Sequence, residues 1–259
     1  MTLKRELEAL LQSAAGTWAV VLRDGAGIER FGWNGDAVLS SASLIKVSLA
    51  WQLLESTLPF DQTHPITAES ICDPDGSLAA LVGESLPLIE LARVMITESE
   101  NSATNIVLDQ LGGLDGANHW LHERGYQHTH WGRRMLDFAA RAAGRDNTTS
   151  AREMAEILYQ LAVRLPTTPQ LAPLQEWLMT ALCSEKLELG LPVGTPLAHK
   201  VGDLPDAEHD AGIITLPNGD WYVLVVLAAG ITNGETARAT IAEISRRCWR
   251  TLTNSNAKA

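Results

Sequence analysis

The chain opens on an amphipathic pattern. In "MTLKRELEALLQSAAG", Leu3, Leu7, Leu10 and Leu11 recur at helical spacing, which predicts a helix with one apolar face. "TWAVVLRDGAGIERFGWNG" (17–35) then alternates around Asp24-Gly25, as a β-hairpin does. "AGIITLPNGDWYVLVVLAAG" (211–230) repeats that pattern around Asn218-Gly219. "ETARATIAEISRRCWRTL" (235–252) follows as a helix with Ile241, Ile244 and Cys248 in step. Between the β segments lie about 170 residues of mostly helical periodicity, broken by loops.

Strands at both ends with helices between predict a mixed α/β chain of the α+β kind. One antiparallel sheet is built from the N- and C-terminal segments and flanked by helices, and an all-helical lobe is inserted between them. The expected division is one domain over 1–259, with a sheet lobe at about 1–40 and 190–259 and a helical lobe at about 41–189. No repeat, low-complexity segment or linker interrupts it.

Composition narrows the function classes. The 259 residues are 46% hydrophobic and 20% charged, ordinary for a globular chain. The net charge of −11 argues against nucleic-acid or anionic-membrane partners, since no basic patch offsets it. Cys72, Cys183 and Cys248 lie far apart with no zinc spacing, so they are expected as free thiols, buried, in a reducing compartment. The N-terminal pattern lacks a continuous apolar run, so the sequence as written is expected to be cytoplasmic, or periplasmic or secreted if it has been trimmed. With no metal cluster, phosphate loop or dinucleotide fingerprint, no cofactor and no metal are expected.

One stretch carries chemistry. In "SASLIKVSLA" (41–50), Ser43 and Lys46 stand three apart, and Lys46 is the only charge between Asp36 and Glu55. On a helix both side chains share a face. An amine among Leu44, Ile45, Val47 and Leu49 is poorly solvated, which favours its neutral form, and a neutral amine beside a hydroxyl can take its proton. The plainer alternative is a lysine snorkelling from a core helix that Ser43 caps. The spacing is common, since Ser255 and Lys258 repeat it in a polar tail. Two further stretches bear on the choice. "MITESENSATNIVLDQLGG" (95–113) holds Ser99-Glu100-Asn101, otherwise a cap-and-turn cluster. "AHKVGDLPDAEHDAGIITL" (198–216) holds Lys200-Val201-Gly202, otherwise an edge strand.

Taken in this order, the three segments resemble the S-x-x-K, S-D-N and K-T-G signature of the serine β-lactamase and penicillin-binding protein superfamily, particularly class A β-lactamases. "GRDNTTSAREMAEIL" (144–158) is similar to the segment that leaves that family's Ω loop. The resemblance implies that Ser43 is the acylated nucleophile and Lys46 its base. It implies that Ser99 shuttles a proton to the leaving nitrogen, that Asn101 holds the substrate's amide side chain, and that Lys200 attracts its carboxylate. Gly202 would let the strand approach the ligand, and the backbone N–H groups of Ser43 and Asp203 would form the oxyanion hole.

The sequence departs from the signature at three places. Glu100 replaces an aspartate. Val201 replaces a threonine, and the lost hydrogen bond to a charged partner is worth roughly 1.5–3 kcal/mol. His209 stands, on position alone, as a replacement donor. In the Ω loop, Arg133 stands where the resemblance expects the glutamate that activates water, and arginine is not a base. Asp137 is the nearest carboxylate there. It would either orient the hydrolytic water or pair with Arg133, Arg134 or Arg141 to hold the loop.

The expected function is a serine acyl-hydrolase of β-lactamase type, with a small-molecule substrate (a β-lactam, a peptide or an ester). The alternatives are a peptidase or esterase with poor β-lactam turnover, a penicillin-binding module that acylates and stalls, and a degenerate fold without catalysis. The sequence leaves the oligomeric state open.

Overall fold

The computed structural model describes residues 2–182 and 185–256, the side chains of 255 and 256 excepted. Cys183, Lys258 and the Ser255 side chain, all singled out in the sequence, lie outside what the structure describes.

The elements run α1 (Leu3–Ser13), β1 (Thr17–Asp24), β2 (Glu29–Trp33), β3 (Leu39–Ser40), α2 (Lys46–Glu55), β4 (Thr63–Pro65), β5 (Ser85–Pro87), α3 (Leu88–Thr97) and α4 (Asn101–Gln110). They continue with α5 (Gly113–Glu123), α6 (Phe138–Ala142), β6 (Thr148–Thr149), α7 (Ala151–Arg164), α8 (Ala172–Met179), β7 (Leu197–Leu204), β8 (Ala207–Thr215), β9 (Trp221–Ala229) and α9 (Gly234–Asn256).

The two predicted hairpins meet in one five-stranded antiparallel sheet of order β2-β1-β9-β8-β7. The join between the chain's ends is β1 on β9, where Val20 pairs with Val226. Both faces of the sheet are covered. Alternate residues such as Val21, Ile213, Val225 and Leu227 face the helices of the middle segment. Their neighbours Val20, Leu22, Leu224 and Val226 face α1 and α9. In α1, Leu7 and Leu11 are buried, and in α9 so are Ile241, Ile244 and Cys248. The antiparallel sheet flanked by helices is therefore observed. The middle segment also holds two short ribbons, β3 with β6 and β4 with β5, that no alternating pattern announced.

α2 runs through the centre of the helical part. Lys46, Val47, Leu49, Ala50, Trp51, Leu53 and Leu54 are all buried, so it is covered all round rather than on one stripe. The edge strand β7 packs beside the 3₁₀ turn Ala42–Ile45 that leads into α2. That contact brings distant sequence segments to one place.

Candidate active site

Ser43 sits in the 3₁₀ turn, and Lys46 is the first residue of α2. Of residues 41–50, Ser43 alone is not fully buried. The preceding Ala42 holds a left-handed φ of +46°. Such a conformation costs a non-glycine residue energy and persists only where its surroundings enforce it. Ser99, at φ +59°, and Leu136, at φ +61°, share this property, and so does Asn34 after β2, at φ +46°.

Lys46 does not snorkel, because its exposure is 0%. Its Nζ lies 2.5 Å from the Ser99 carbonyl oxygen, 3.3 Å from Ser99 Oγ and 2.9 Å from Asn101 Oδ1. Burial, reinforced by the charge of Lys200, pushes the Lys46 amine well below the usual lysine range, while Glu100, Cys72 and Asp73 pull the other way. Nor does Ser43 cap α2, which begins without a side-chain cap. Both parts of the plainer alternative therefore fail, and the Ser99–Asn101 segment is folded directly onto the Lys46 amine.

Glu100 caps α4 by accepting from the Ala103 N–H. Its other oxygen, Oε1, is buried without a hydrogen-bond partner among the described residues. Burial raises its pKa. Asn101 Nδ2 donates to Asp73 Oδ2 at 2.9 Å.

On the other side, a Cβ added to Gly202 would lie 3.0 Å from Ala42 Cβ and 3.3 Å from the Ser43 nitrogen. β7 thus runs against the serine turn at the glycine. Lys200, on the same strand face, is buried, and its Nζ donates to the Val201 carbonyl at 3.1 Å. Val201 is buried as well. Asp203 is exposed and anchored by Lys186, whose Nζ lies 2.5 Å from Asp203 Oδ1, 2.8 Å from Glu208 Oε2 and 3.1 Å from the His209 carbonyl. His209 is not a spare donor for substrate. Its Nε2–H donates to the Ser40 carbonyl at 2.9 Å, and its Nδ1 accepts from the Ala228 N–H at 3.1 Å.

With this geometry in hand, similarity to known proteins is informative. A family model described as the beta-lactamase enzyme family matches residues 2–252. The chain belongs to that family. It is 25% identical to the extended-spectrum beta-lactamase PER-1 of Pseudomonas aeruginosa, over 95% of this chain and 86% of the relative. It is likewise 25% identical to beta-lactamase FAR-1 of Nocardia farcinica, over 92% of this chain and 80% of that one. Among solved structures, PBP-A superposes with a TM-score of 0.89 at 24% identity, covering 97% of this chain and 96% of PBP-A. A variant of an ancestral class A beta-lactamase of Gram-negative bacteria superposes at 0.88 and 24%, covering 98% and 99%. The mixed helix and antiparallel-sheet fold is thus that of class A beta-lactamases.

Within this beta-lactamase fold, the loop before β6 differs from the sequence reading. Arg133 is buried, and its Nε donates to Asp146 Oδ1 at 2.8 Å. Arg141 takes the other oxygen of Asp146 and also reaches Asp206 at 2.9 Å. Arg134 pairs with Asp109. Asp137 forms none of the three ion pairs considered for it. It is exposed and caps α6, with Oδ1 accepting from the Ala140 N–H at 2.9 Å. Asp146 closes the loop in its place, because it meets both guanidinium groups at the loop's base.

The sequence reading missed Asp73 and Lys186. "DPDG" (73–76) signals a turn, but not which side chain that turn faces. Lys186 lies in a segment without periodicity, and only the folded β7–β8 hairpin supplies its partners. Of the cysteines, Cys72 is half-buried and Cys248 fully buried, both as free thiols. No helix of the described residues is long and apolar enough to cross a membrane.

Proposed function

We propose that this chain is a serine acyl-hydrolase that opens β-lactam rings through an ester on Ser43. The observation that carries it is the buried Lys46 amine, fixed against Ser99 and Asn101 at the base of the one incompletely buried serine of its turn. Neutral Lys46 takes the Ser43 proton as Oγ attacks the amide carbonyl. Negative charge grows on the carbonyl oxygen, where the N–H groups of Ser43 and Asp203 receive it. The Ser99 hydroxyl relays the proton from Lys46 to the leaving nitrogen. The C–N bond breaks, and the acyl group remains on Oγ. Asn101 holds the acyl side chain, and Lys200, beside Val201 and Gly202, attracts the carboxylate.

Release requires water. Arg133, at the position where relatives of this type are expected to carry a glutamate, is unable to activate it. That step falls to Asp137, the loop carboxylate not drawn into an ion pair among the described residues. Arg133, buried and held by Asp146 where a water-activating carboxylate would otherwise stand, also favours a second reading, in which Ser43 acylates and stalls. The acyl-enzyme complex of a PBP-A mutant with penicillin G is a structural precedent for a persistent ester on this fold.

The test is incubation with a chromogenic cephalosporin and with a p-nitrophenyl ester, followed by intact mass. Sustained cephalosporin turnover supports hydrolysis. A lasting mass gain on Ser43 without turnover supports the stalled form, and ester turnover alone supports an esterase. Ser43→Ala should abolish every reaction; activity that survives it would remove Ser43 as the nucleophile.

A further inference from the structure

Asn101 is held at both ends of its amide. Oδ1 accepts from Lys46 Nζ at 2.9 Å, and Nδ2 donates to Asp73 Oδ2 at 2.9 Å. A carboxylate only accepts, so the amide orientation is determined. Asp73 is not a loose surface acid. Its own N–H and that of Cys72 both donate to Ser102 Oγ in the first turn of α4, at 3.3 and 3.1 Å. Among the described residues Asp73 forms no ion pair with a lysine or arginine. The same turn gathers further negative charge. Asp75 is exposed two residues on, and the unpartnered Glu100 Oε1 faces Gly76.

We propose that Asp73 selects substrates whose acyl group carries a free ammonium on the carbon next to its amide carbonyl. This rests on the acyl-serine reading above. Asn101 offers the N–H for the amide oxygen, and Asp73 stands one hydrogen bond away from that N–H. In an α-amino acyl group the carbonyl oxygen and the ammonium nitrogen are about 3 Å apart, from standard bond lengths and angles. The Asn101–Asp73 pair matches that spacing: Nδ2 carries two N–H groups, so one stays on Asp73 while the other donates to the amide oxygen, and the ammonium pairs with the Asp73 carboxylate beside it. Without that ammonium, the amide still seats on Asn101, but the Asp73 charge gains no partner from the substrate. With Lys200 attracting the carboxylate, the preferred substrate is zwitterionic, positive on its acyl side. Acyl groups bearing a second carboxylate are repelled. Both a β-lactam with an α-amino side chain and a peptide with a free N-terminus meet this description.

Two matched pairs test it. Ampicillin differs from benzylpenicillin by the α-amino group alone, and a dipeptidyl p-nitrophenyl ester can be used free or N-acetylated. The second-order rate constant for acylation of Ser43 should be about five- to tenfold higher for the amino compound of a pair, tenfold being 1.4 kcal/mol. Asp73→Asn retains an acceptor for Asn101 but removes the charge, and should bring the ratio close to one. A preference in the penicillin pair alone identifies the β-lactam source, and one in the ester pair alone the peptide source. Equal rates within both pairs for the unmodified protein, or a ratio that persists in Asp73→Asn, would overturn the inference while leaving acyl-serine chemistry intact. No adduct with any of the four would remove the acyl-serine reading, and this inference with it.

Discussion

Gly202 lies against the Ser43 backbone, with no room between them for a side chain. A methyl group on Gly202 would approach the Ser43 nitrogen to 3.3 Å, the Ser41 carbonyl to 3.2 Å and Ala42 Cβ to 3.0 Å. None of these neighbours retreats easily. The Ser41 carbonyl already accepts from the Leu44 N–H at 3.1 Å, and Ala42 is held at φ +46°. Gly202→Ala should therefore push β7 away from the serine turn. Overpacking of this kind costs about 1–3 kcal/mol, read by urea denaturation. If the Ser43 and Asp203 N–H groups form the oxyanion hole, acylation should suffer more, by about a hundredfold, because a small misplacement of those donors weighs on the transition state. A variant that acylates at the original rate would show that β7 does not form that hole.

Lys200 acts on Lys46 through charge. It helps to depress the Lys46 amine, second only to burial. If Lys46 is the base in acylation it must be neutral, and the rate should rise as pH passes upward through the Lys46 pKa. Lys200→Met removes one depressing charge and lets that pKa rise. The acid limb of the acylation profile should then move to higher pH, beyond any loss of substrate affinity. The limb is measured as second-order rate against pH for both proteins. A limb that stays in place would mean that a different group titrates.

These relationships explain what the sequence revealed and what it concealed. β9, "WYVLVVLAA", and its hairpin partner were legible because an unbroken apolar run next to a turn signal has few other readings. Lys46 was legible because a lone charge in an apolar helix must find partners. What was hidden lies in loops without periodicity. The Arg133–Asp146 clamp, the Lys186 anchor and the Asp73–Asn101 bond each join residues whose proximity only the folded chain creates. The same holds for Asp137: its place in "RRMLD" marked it as a loop carboxylate, but not as a helix cap.

Asp137 offers a clean separation of cap from charge. Asparagine caps a helix about as well as aspartate, whereas alanine loses about 1 kcal/mol. Asp137→Asn should therefore melt with the unmodified protein, and Asp137→Ala slightly below it. If the carboxylate orients the releasing water, Asp137→Asn should lengthen the lifetime of the Ser43 adduct by about tenfold or more, a typical share for a positioned base. Time-resolved intact mass gives that lifetime. An unchanged lifetime together with unchanged melting would assign Asp137 to the cap alone.

His209 links stability to pH. It is buried between the Ser40 carbonyl and the Ala228 N–H, an arrangement that only the neutral ring fits. Burial lowers its pKa from 6.5 to about 4. As pH falls below 6.5, the unfolded chain takes a proton that the folded chain refuses. The stability that neutral His209 provides is complete above 6.5 and is lost as pH falls toward 4, by about 3 kcal/mol in all. His199 runs the other way. Its burial opposes charge, but Asp210 at 2.9 Å outweighs it and raises the pKa. That contribution is complete below 6.5 and lost only as pH rises through the raised value, so it does not vary inside the His209 window. His209→Gln should flatten the fall in urea-determined stability between pH 6.5 and 4, whatever its effect at neutral pH. An equal slope in both proteins would place the responsible proton elsewhere.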